Sequence, residues 1–381
     1  MTAPVTPLAI TRLEDRLTPA SPVPGPADLI ASGAGAGAPP VVQLYRPDGT
    51  IRSQFAAYDT GFTGGVSVAM ADVNADGVAD VVTAAGAGGG PHVKVFDGKS
   101  LDRLFDPTQP SPAVVVEPVE LYSFFAYDPG FTGGVSVAAA DVDGDGYADV
   151  VTGAGPGGGP HVKAFSGKTG AEVFSFFAFE GGYRAGVNVA AGRLREEPAG
   201  VAEHADILVG TGAGVQATVA GFDGRTGETL FAHTPYGSFG GGVYVTAADV
   251  TGDGFDDVIT GAGAGGGPHV LAFDGWTLGH LPVVLLPPGG VQPIRSFFAF
   301  DPAFGGGVRV AAADLNGDTR NDIVAAAGPG GAPTLRAFSG VDGRELFRTD
   351  KFGYTPGTPG YAAGATVGGK PNATRPVPVL E

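Results

Sequence analysis

Six copies of one long unit, four β-rich runs within each copy, and chain ends that each carry half a unit predict an all-β fold. The expected architecture is a six-bladed β-propeller of four-stranded antiparallel blades, closed by pairing the N- and C-terminal segments in one blade. The fullest copy runs from Phe124 to Gly170 as FFAYDPGFTGGVSVAAADVDGDGYADVVTGAGPGGGPHVKAFSGKTG. Its first phrase returns as GGVSVAMADV at Gly64, GGVSVAAADV at Gly133, AGVNVAAGRL at Ala185, GGVYVTAADV at Gly241, GGVRVAAADL at Gly306 and AGATVGG at Ala363. Its second phrase begins at Ala27, Ala79, Ala148, Ala205, Asp256 and Asn321. The chain therefore opens on a second half and closes on a first half, which is the register of a ring.

In the fullest copy the runs Val135 to Ala140, Asp149 to Gly153, His161 to Ser166 and Val173 to Phe179 read as inner, second, third and outer strands. They carry consecutive apolar or small residues rather than a clean alternation, as expected of a sheet covered on both faces. The split blade takes its inner strand from about residues 363–369 and the others from 28–58. Closure hides the edges that an open stack would expose. The expected organisation is a Pro-rich head over 1–27, the propeller over 28–369 and a tail over 370–381, with head and tail lacking fixed structure.

Composition fits once the period is seen. The 67 Gly and 32 Pro among 381 residues, about a quarter of the chain, would signal low complexity if they were aperiodic, but here they punctuate a repeat. With no Cys there is neither a disulfide framework nor a thiolate metal site. A formal net charge of −17 argues against nucleic acid and anionic membranes as partners. No apolar run approaches the roughly 20 residues of a membrane span. A monomer is expected.

Much of the negative charge sits in four loops between inner and second strands. They offer Asp72, Asn74, Asp76 and Asp80; Asp141, Asp143, Asp145 and Asp149; Asp249, Thr251, Asp253 and Asp257; and Asp314, Asn316, Asp318 and Asp322. Ca²⁺ takes about six to eight hard oxygens, and alternate side chains of a tight turn converge on one ion while glycine permits the bend. Backbone carbonyls at Val78, Tyr147, Phe255 and Arg320 stand where each set would be completed. About four Ca²⁺ ions would lower the charge from −17 to about −9. Thr251 substitutes a hydroxyl for a carboxylate, so that site is expected to be weaker, and Thr319 stands where the other loops have glycine, forcing an unfavourable turn or a reshaped loop. The third unit has GRLREEPAGVAEHAD and the last VGGK, and neither is expected to hold the ion. Without metal, the same Asp clusters would cap themselves as Asx turns. The loops lack the final Glu and flanking helices of an EF-hand.

The string FTGGVSVAAADVDGDGYADVVTGAGPGGGPHVKAF resembles the FG-GAP repeat of integrin α-subunit propellers and the related VCBS repeats of bacterial secreted proteins. The resemblance runs nearly from Asp28 to Gly369, with GAGPGGG in place of the usual GAP-type tripeptide. It implies Ca²⁺ at the four acidic loops on one face, and an extracellular or cell-surface protein. TRLEDRLTPA at Thr11 is similar to a short N-terminal motif common in exported planctomycete proteins, although no basic region and apolar core precede it.

Three GPH tripeptides place His92, His161 and His269 at the start of third strands, opposite the acidic loops and near Tyr58, Asp59, Tyr127, Asp128 and Phe131. They read as blade packing first, and second as repeated subsites for a protein or glycan ligand. The glycine runs lack the Lys-Ser/Thr pair and following helix of a phosphate loop. Glu196, Glu197, Glu203 and His204 in the third unit, and the long loops 102–118 and 276–293, break the repeat. The Glu and His residues read as a solvated surface loop before an acid/base pair. The leading function is a noncatalytic calcium-binding adhesion or binding module; a carbohydrate-binding lectin and a polysaccharide-active enzyme are the alternatives.

Overall fold

The computed structural model describes residues 29–103, 114–115, 117–180, 182–198, 200–281, 291–331, 334–349 and 365–369. The expected head and tail lie outside these residues. Six antiparallel sheets form the fold, each led by an inner strand: Val66–Ala71 in blade I, Val135–Ala140 in II, Val187–Gly192 in III, Val243–Ala248 in IV, Val308–Ala313 in V and Ala365–Gly369 in VI. The inner strands neighbour one another in that order, and the last packs beside the first. In blade VI, Ala365–Gly369 pairs antiparallel with Ile30–Ala34, Ile30 opposite Gly369 and Ala34 opposite Ala365.

The strands of blade II are Val135–Ala140, Asp149–Ala154, His161–Phe165 and Glu172–Phe177. The third strand stops before Ser166 because the Ser166 N–H turns back to the Ala171 carbonyl at 2.8 Å. The second strands are buried at every residue in all six blades, whereas every outer strand keeps exposed or half-buried residues and those of blades I, II, IV and V have no buried one. That gradient is what a radial stack requires, since an outer strand lies on the perimeter. Six apolar clusters fill the six interfaces between neighbouring blades. In one, Val151 and Val162 of blade II meet Val187 and Ile207 of blade III.

The glycine pairs that precede the inner strands of blades I, II, IV and V have a steric cause. Gly134 lies at φ 80°, and a Cβ there would come within 2.7 Å of backbone in the glycine turn of blade I. Blades are pressed together by main chain at this face, so no side chain fits. Backbone bonds then staple neighbours: the Gly157 N–H donates to the Arg184 carbonyl at 2.9 Å on the glycine-rich face, and the Ala205 N–H to the Asp141 carbonyl at 2.7 Å on the acidic face.

Two features exceed the sequence reading. Val114–Val115, in the long insertion between the third and outer strands of blade I, adds a parallel strand to the outer edge of blade VI at Ile51–Ala56. Short helices Gly98–Arg103 and Gly275–His280 follow the third strands of blades I and IV, the second capped by Asp274, which accepts from the Thr277 N–H at 2.6 Å.

Deleting residues 361–381 removes the strand that covers Ile30–Ala34 and bares that edge of the ring. Aggregation or loss of a single cooperative transition is expected in a calorimetric melt; a monomeric truncation that melts like the full chain would contradict the six-blade closure.

Candidate functional site

Each acidic loop is a hairpin between inner and second strands, and its first side chain gathers the turn. In blade II, Asp141 Oδ1 accepts from the N–H groups of Gly144 and Asp145 at 2.7 and 3.1 Å, and its Oδ2 from Gly146 at 2.8 Å. Asp143 Oδ1 accepts from the Asp145 N–H at 3.0 Å, and Asp145 Oδ1 from Tyr147 at 3.0 Å. Blades I and V repeat the scheme through Asp72, Asn74 and Asp76 and through Asp314, Asn316 and Asp318. In blade IV, Asp249 and Asp253 repeat it, while the Thr251 hydroxyl turns to Asp249 at 3.4 Å. These are Asx turns, and they aim one oxygen of every second residue at the loop interior.

The ninth residue joins the loop to the sheet. Asp149 Oδ2 accepts from the Val142 and Asp143 N–H groups at 2.9 and 3.3 Å, and its Oδ1 from Gly167 in the turn after the third strand at 3.1 Å. Asp80, Asp257 and Asp322 do the same in blades I, IV and V. None of the four is more than 1% exposed. Burial pushes Asp149 and Asp257 up to about 7, and Asp80 and Asp322 up to about 6, against these N–H donors. Asp141, Asp143 and Asp149 each bring an oxygen within 4.8 Å of the others. Such a donor set, all hard oxygen, fits Ca²⁺. Asp145 instead faces the Lys168 ammonium at 3.5 Å, and Asp76 faces Lys99 at 3.2 Å.

Two backbone positions of the loop lie at positive φ. The fourth carries Gly144, Gly252 and Gly317 at 79°, 81° and 74° but Ala75 at 56° in blade I; the sixth carries Gly77, Gly146 and Gly254 but Thr319 at 73° in blade V. Blade V therefore keeps the loop shape, and Thr319 takes the strained conformation rather than reshaping the turn. The demand at the fourth position escapes a reading that watches only the sixth.

Blade III corrects the sequence reading. Glu196 and Glu203 are exposed, but the side chains of Glu197 and His204 are 5% and 1% exposed and belong to no solvated loop. Glu197 lies beside Arg195, which occupies the position of Asp143, and His204 lies 3.5 Å from Glu197 and 3.7 Å from Asp223. The Arg195 guanidinium bonds Asp223 and lies 3.4 Å from Asp206 Oδ1 and 3.9 Å from Glu197. His204, Asp206 and Asp223 are close enough to share an ion, yet the guanidinium already supplies the positive charge there. Asp206 is the counterpart of Asp149, pushed up to about 6 by burial and offset by Arg195.

On the opposite face the three histidines are packing groups. His161 Nε2 pairs with Ser175 Oγ at 3.2 Å, its carbonyl accepts from the Tyr127 hydroxyl at 2.9 Å, and burial lowers its pKa so that the ring is held neutral. His92 and His269 repeat this with Tyr58 and Tyr236. Each ring carries an outer phenylalanine: Phe125, Phe177 and Phe298 are 52%, 62% and 47% exposed. Asp59 and Asp128 close their turns by accepting from Gly61 and Gly130, and Phe131 packs on Tyr127.

Residues 133–171, which span the Gly133 turn and the Asp141–Asp149 loop, match the FG-GAP repeat. No curated protein matches the chain. Among solved structures it is similar to Sqt1 of Saccharomyces cerevisiae, at 12% identity over 91% of this chain and 97% of that one with a TM-score of 0.43. It is also similar to the Dos1 propeller, at 11% identity over 81% of this chain and 66% of that one with a TM-score of 0.39. A third is the rhamnogalacturonan lyase YesW, at 14% over 81% and 58% with a TM-score of 0.37. The chain thus spans less than two thirds of the Dos1 propeller and of YesW. Fold and matched segment together define a six-bladed β-propeller that carries an FG-GAP repeat.

Replacing Thr319 by Gly relieves a β-branched residue at φ 73° and should stabilise the protein by about 1 kcal/mol after the entropy cost of glycine, measured by denaturant unfolding. Arg195→Met leaves three carboxylates without their cation and should cost about 3 kcal/mol in the same assay. A neutral outcome would show that the guanidinium does not balance the cluster.

Proposed function

We propose that the chain is a noncatalytic binding module, calcium-loaded on one face and presenting a ligand rim on the other, working outside the cytoplasm. Blade III carries the reading. Where its acidic loop is lost, a guanidinium stands beside the buried ninth-position Asp206, while Asp80, Asp149, Asp257 and Asp322 have no such group from their own loops. One blade meets the charge demand from within; the other four meet it with a divalent cation. Lys99 and Lys168 reach only the outer Asp76 and Asp145 and remain 41% and 51% exposed, so they do not neutralise the buried groups. Calcium sites of modest affinity suit an extracellular or cell-surface setting, where the ion is abundant.

The rim opposite the acidic loops is the ligand face, for a protein or glycan partner. Exposed Phe125, Phe177 and Phe298, each held against a histidine ring, favour a lectin as the second reading, because a fixed aromatic face stacks on a sugar ring. The enzyme reading is disfavoured, because the buried Glu197 lies 3.9 Å from Arg195 and 3.5 Å from His204 within the blade rather than on an open rim.

Calcium titration of chelator-stripped protein should give about four ions, and each independent site should add about 2.7 kcal/mol at a hundredfold excess over its dissociation constant. Asp143→Ala should remove one ion and Asp206→Ala none; equal losses, or melting midpoints indifferent to calcium, would overturn the assignment.

The pH dependence follows from the raised carboxyls. In the metal-free protein these four carboxyls, with folded pKa values above the unfolded ones, contribute stability that is fully present below about pH 4 and is lost as pH rises through about 6 to 7. Calcium binds the ionised form, so its affinity should fall as pH drops from 7.5 to about 5. Titrations at the two ends of that range measure it.

A further inference from the structure

In two blades the residue that follows the third strand reaches the third position of the acidic loop. In blade III the two are Asp223 and Arg195, bonded directly. In blade I they are Asp97 and Asn74, and Asn74 Nδ2 donates to Asp97 Oδ1 at 3.4 Å. The equivalent residues are Ser166 and Asp143 in blade II, Asp274 and Thr251 in blade IV, and Ser339 and Asn316 in blade V. An asparagine holds a cation only through its oxygen, so the amide has to be fixed with that atom toward the loop interior. Asn74 is fixed at both atoms. Its Oδ1 accepts from the Asp76 N–H at 3.0 Å, which only the oxygen can do, while Asp97 takes the amide hydrogen. Asn316 has no carboxylate after its third strand and turns Nδ2 to Asp322 Oδ1 at 3.3 Å, an oxygen that already accepts from the Gly340 N–H at 3.1 Å.

Asp97 Oδ2 also accepts from the Ser100 N–H at 2.8 Å and so caps the turn after the strand. Capping does not call for a charge. Ser166 and Ser339 do it with a hydroxyl, accepting from the Thr169 and Val341 N–H groups at 3.3 and 3.2 Å. Aspartate stands at this place in blades I and IV, whose loops have a neutral third residue, and serine in blade II, whose third residue is Asp143. Blades I, II and IV thereby each gather four carboxylates, and blade V three. Burial first, and then the charges of Asp249 and Asp274, raise the Asp253 carboxyl, so Asp274 lies within electrostatic reach of its loop.

We propose that Asp97 and Asp274 are positioning residues of the calcium sites in blades I and IV. They supply, from the end of the third strand, the negative charge that Asn74 and Thr251 do not carry, and Asp97 holds the Asn74 oxygen inward. This rests on the calcium reading of the acidic loops and makes blade V, rather than blade IV, the weakest of the four sites.

Calcium titrated against a fluorescent chelator into the stripped full chain should resolve three tighter ions and one weaker. Asp97→Ser should weaken one of the three about tenfold or more. It should leave the melting midpoint of the calcium-free chain in place, since serine caps the same turn in blade II; a capping role alone would do the reverse. Asn74→Asp combined with Asp97→Ser rebuilds the pair of blade II and should return that ion to its native affinity. Ser339→Asp should tighten the weakest ion, an arm that does not depend on the Asp97 variant folding. Four ions unmoved by Asp97→Ser, a double variant no tighter than the single one, or Ser339→Asp without effect overturns the proposal and leaves the calcium reading standing. A native chain that takes up no calcium overturns both.

Discussion

Burial of the second strand on both faces is the constraint on which the structure depends. Asp149–Ala154 and its counterparts have no exposed residue, so no blade can exist without a neighbour on each side. Covering six such sheets without leaving an uncovered face requires a ring. A ring in turn brings inner strands together at an axis, where side chains must be small or must enclose a cavity. The glycine turns follow from the same demand: blades close enough to exclude water at the second strand approach too closely at the turn for a Cβ.

The acidic face is organised by the ninth-position aspartate before any ion is considered. Its two oxygens tie the hairpin to the turn after the third strand, and they do so in blades I, II, IV and V with the same donors. A carboxylate placed there satisfies buried N–H groups at the cost of a buried charge. That cost explains why the remaining loop residues are oxygen donors aimed inward, and why blade III, having lost them, carries an arginine. The Asx turns expected without metal and the donor set expected with it are thus the same geometry.

The repeat, the four strands per unit and the acidic hairpins were legible because each is a local pattern: β-branched runs, Gly-Gly before an inner strand, Asp at alternate positions. Thr319 was legible as a strained position because its neighbours in the alignment are glycine. Ala75 was legible in the same way, by comparison with Gly144, Gly252 and Gly317, but only if the fourth position is read as a backbone demand. The burial of Glu197 and His204 was not legible, since polar residues near a Pro and a Gly look solvated until the fold brings Asp223 beside them. Arg195 gave a signal, standing in register with Asp143, and its meaning depends on a residue twenty-eight positions away. The parallel strand Val114–Val115 pairs with a partner about sixty positions earlier, beyond any local pattern.

Departures from the repeat cluster around its worn third unit. Arg193 stands where an acid gathers the hairpin in blades I, II, IV and V, and an acid of the next blade binds its main chain. Asp256 stands where blades I, II and III have Ala79, Ala148 and Ala205. Its Oδ2 accepts from the Arg193 N–H at 2.7 Å, and its own N–H donates to the Arg193 carbonyl at 2.6 Å. The exchange holds the interface between blades III and IV from both sides. Burial pushes Asp256 up to about 7, and the Arg193 N–H that it accepts works against that rise. A ring cannot leave one unit loose without loosening its two neighbours. The third unit is therefore kept by two separate substitutions, a cation inside the blade and an acid from beside it, in place of the ion that its sequence no longer holds.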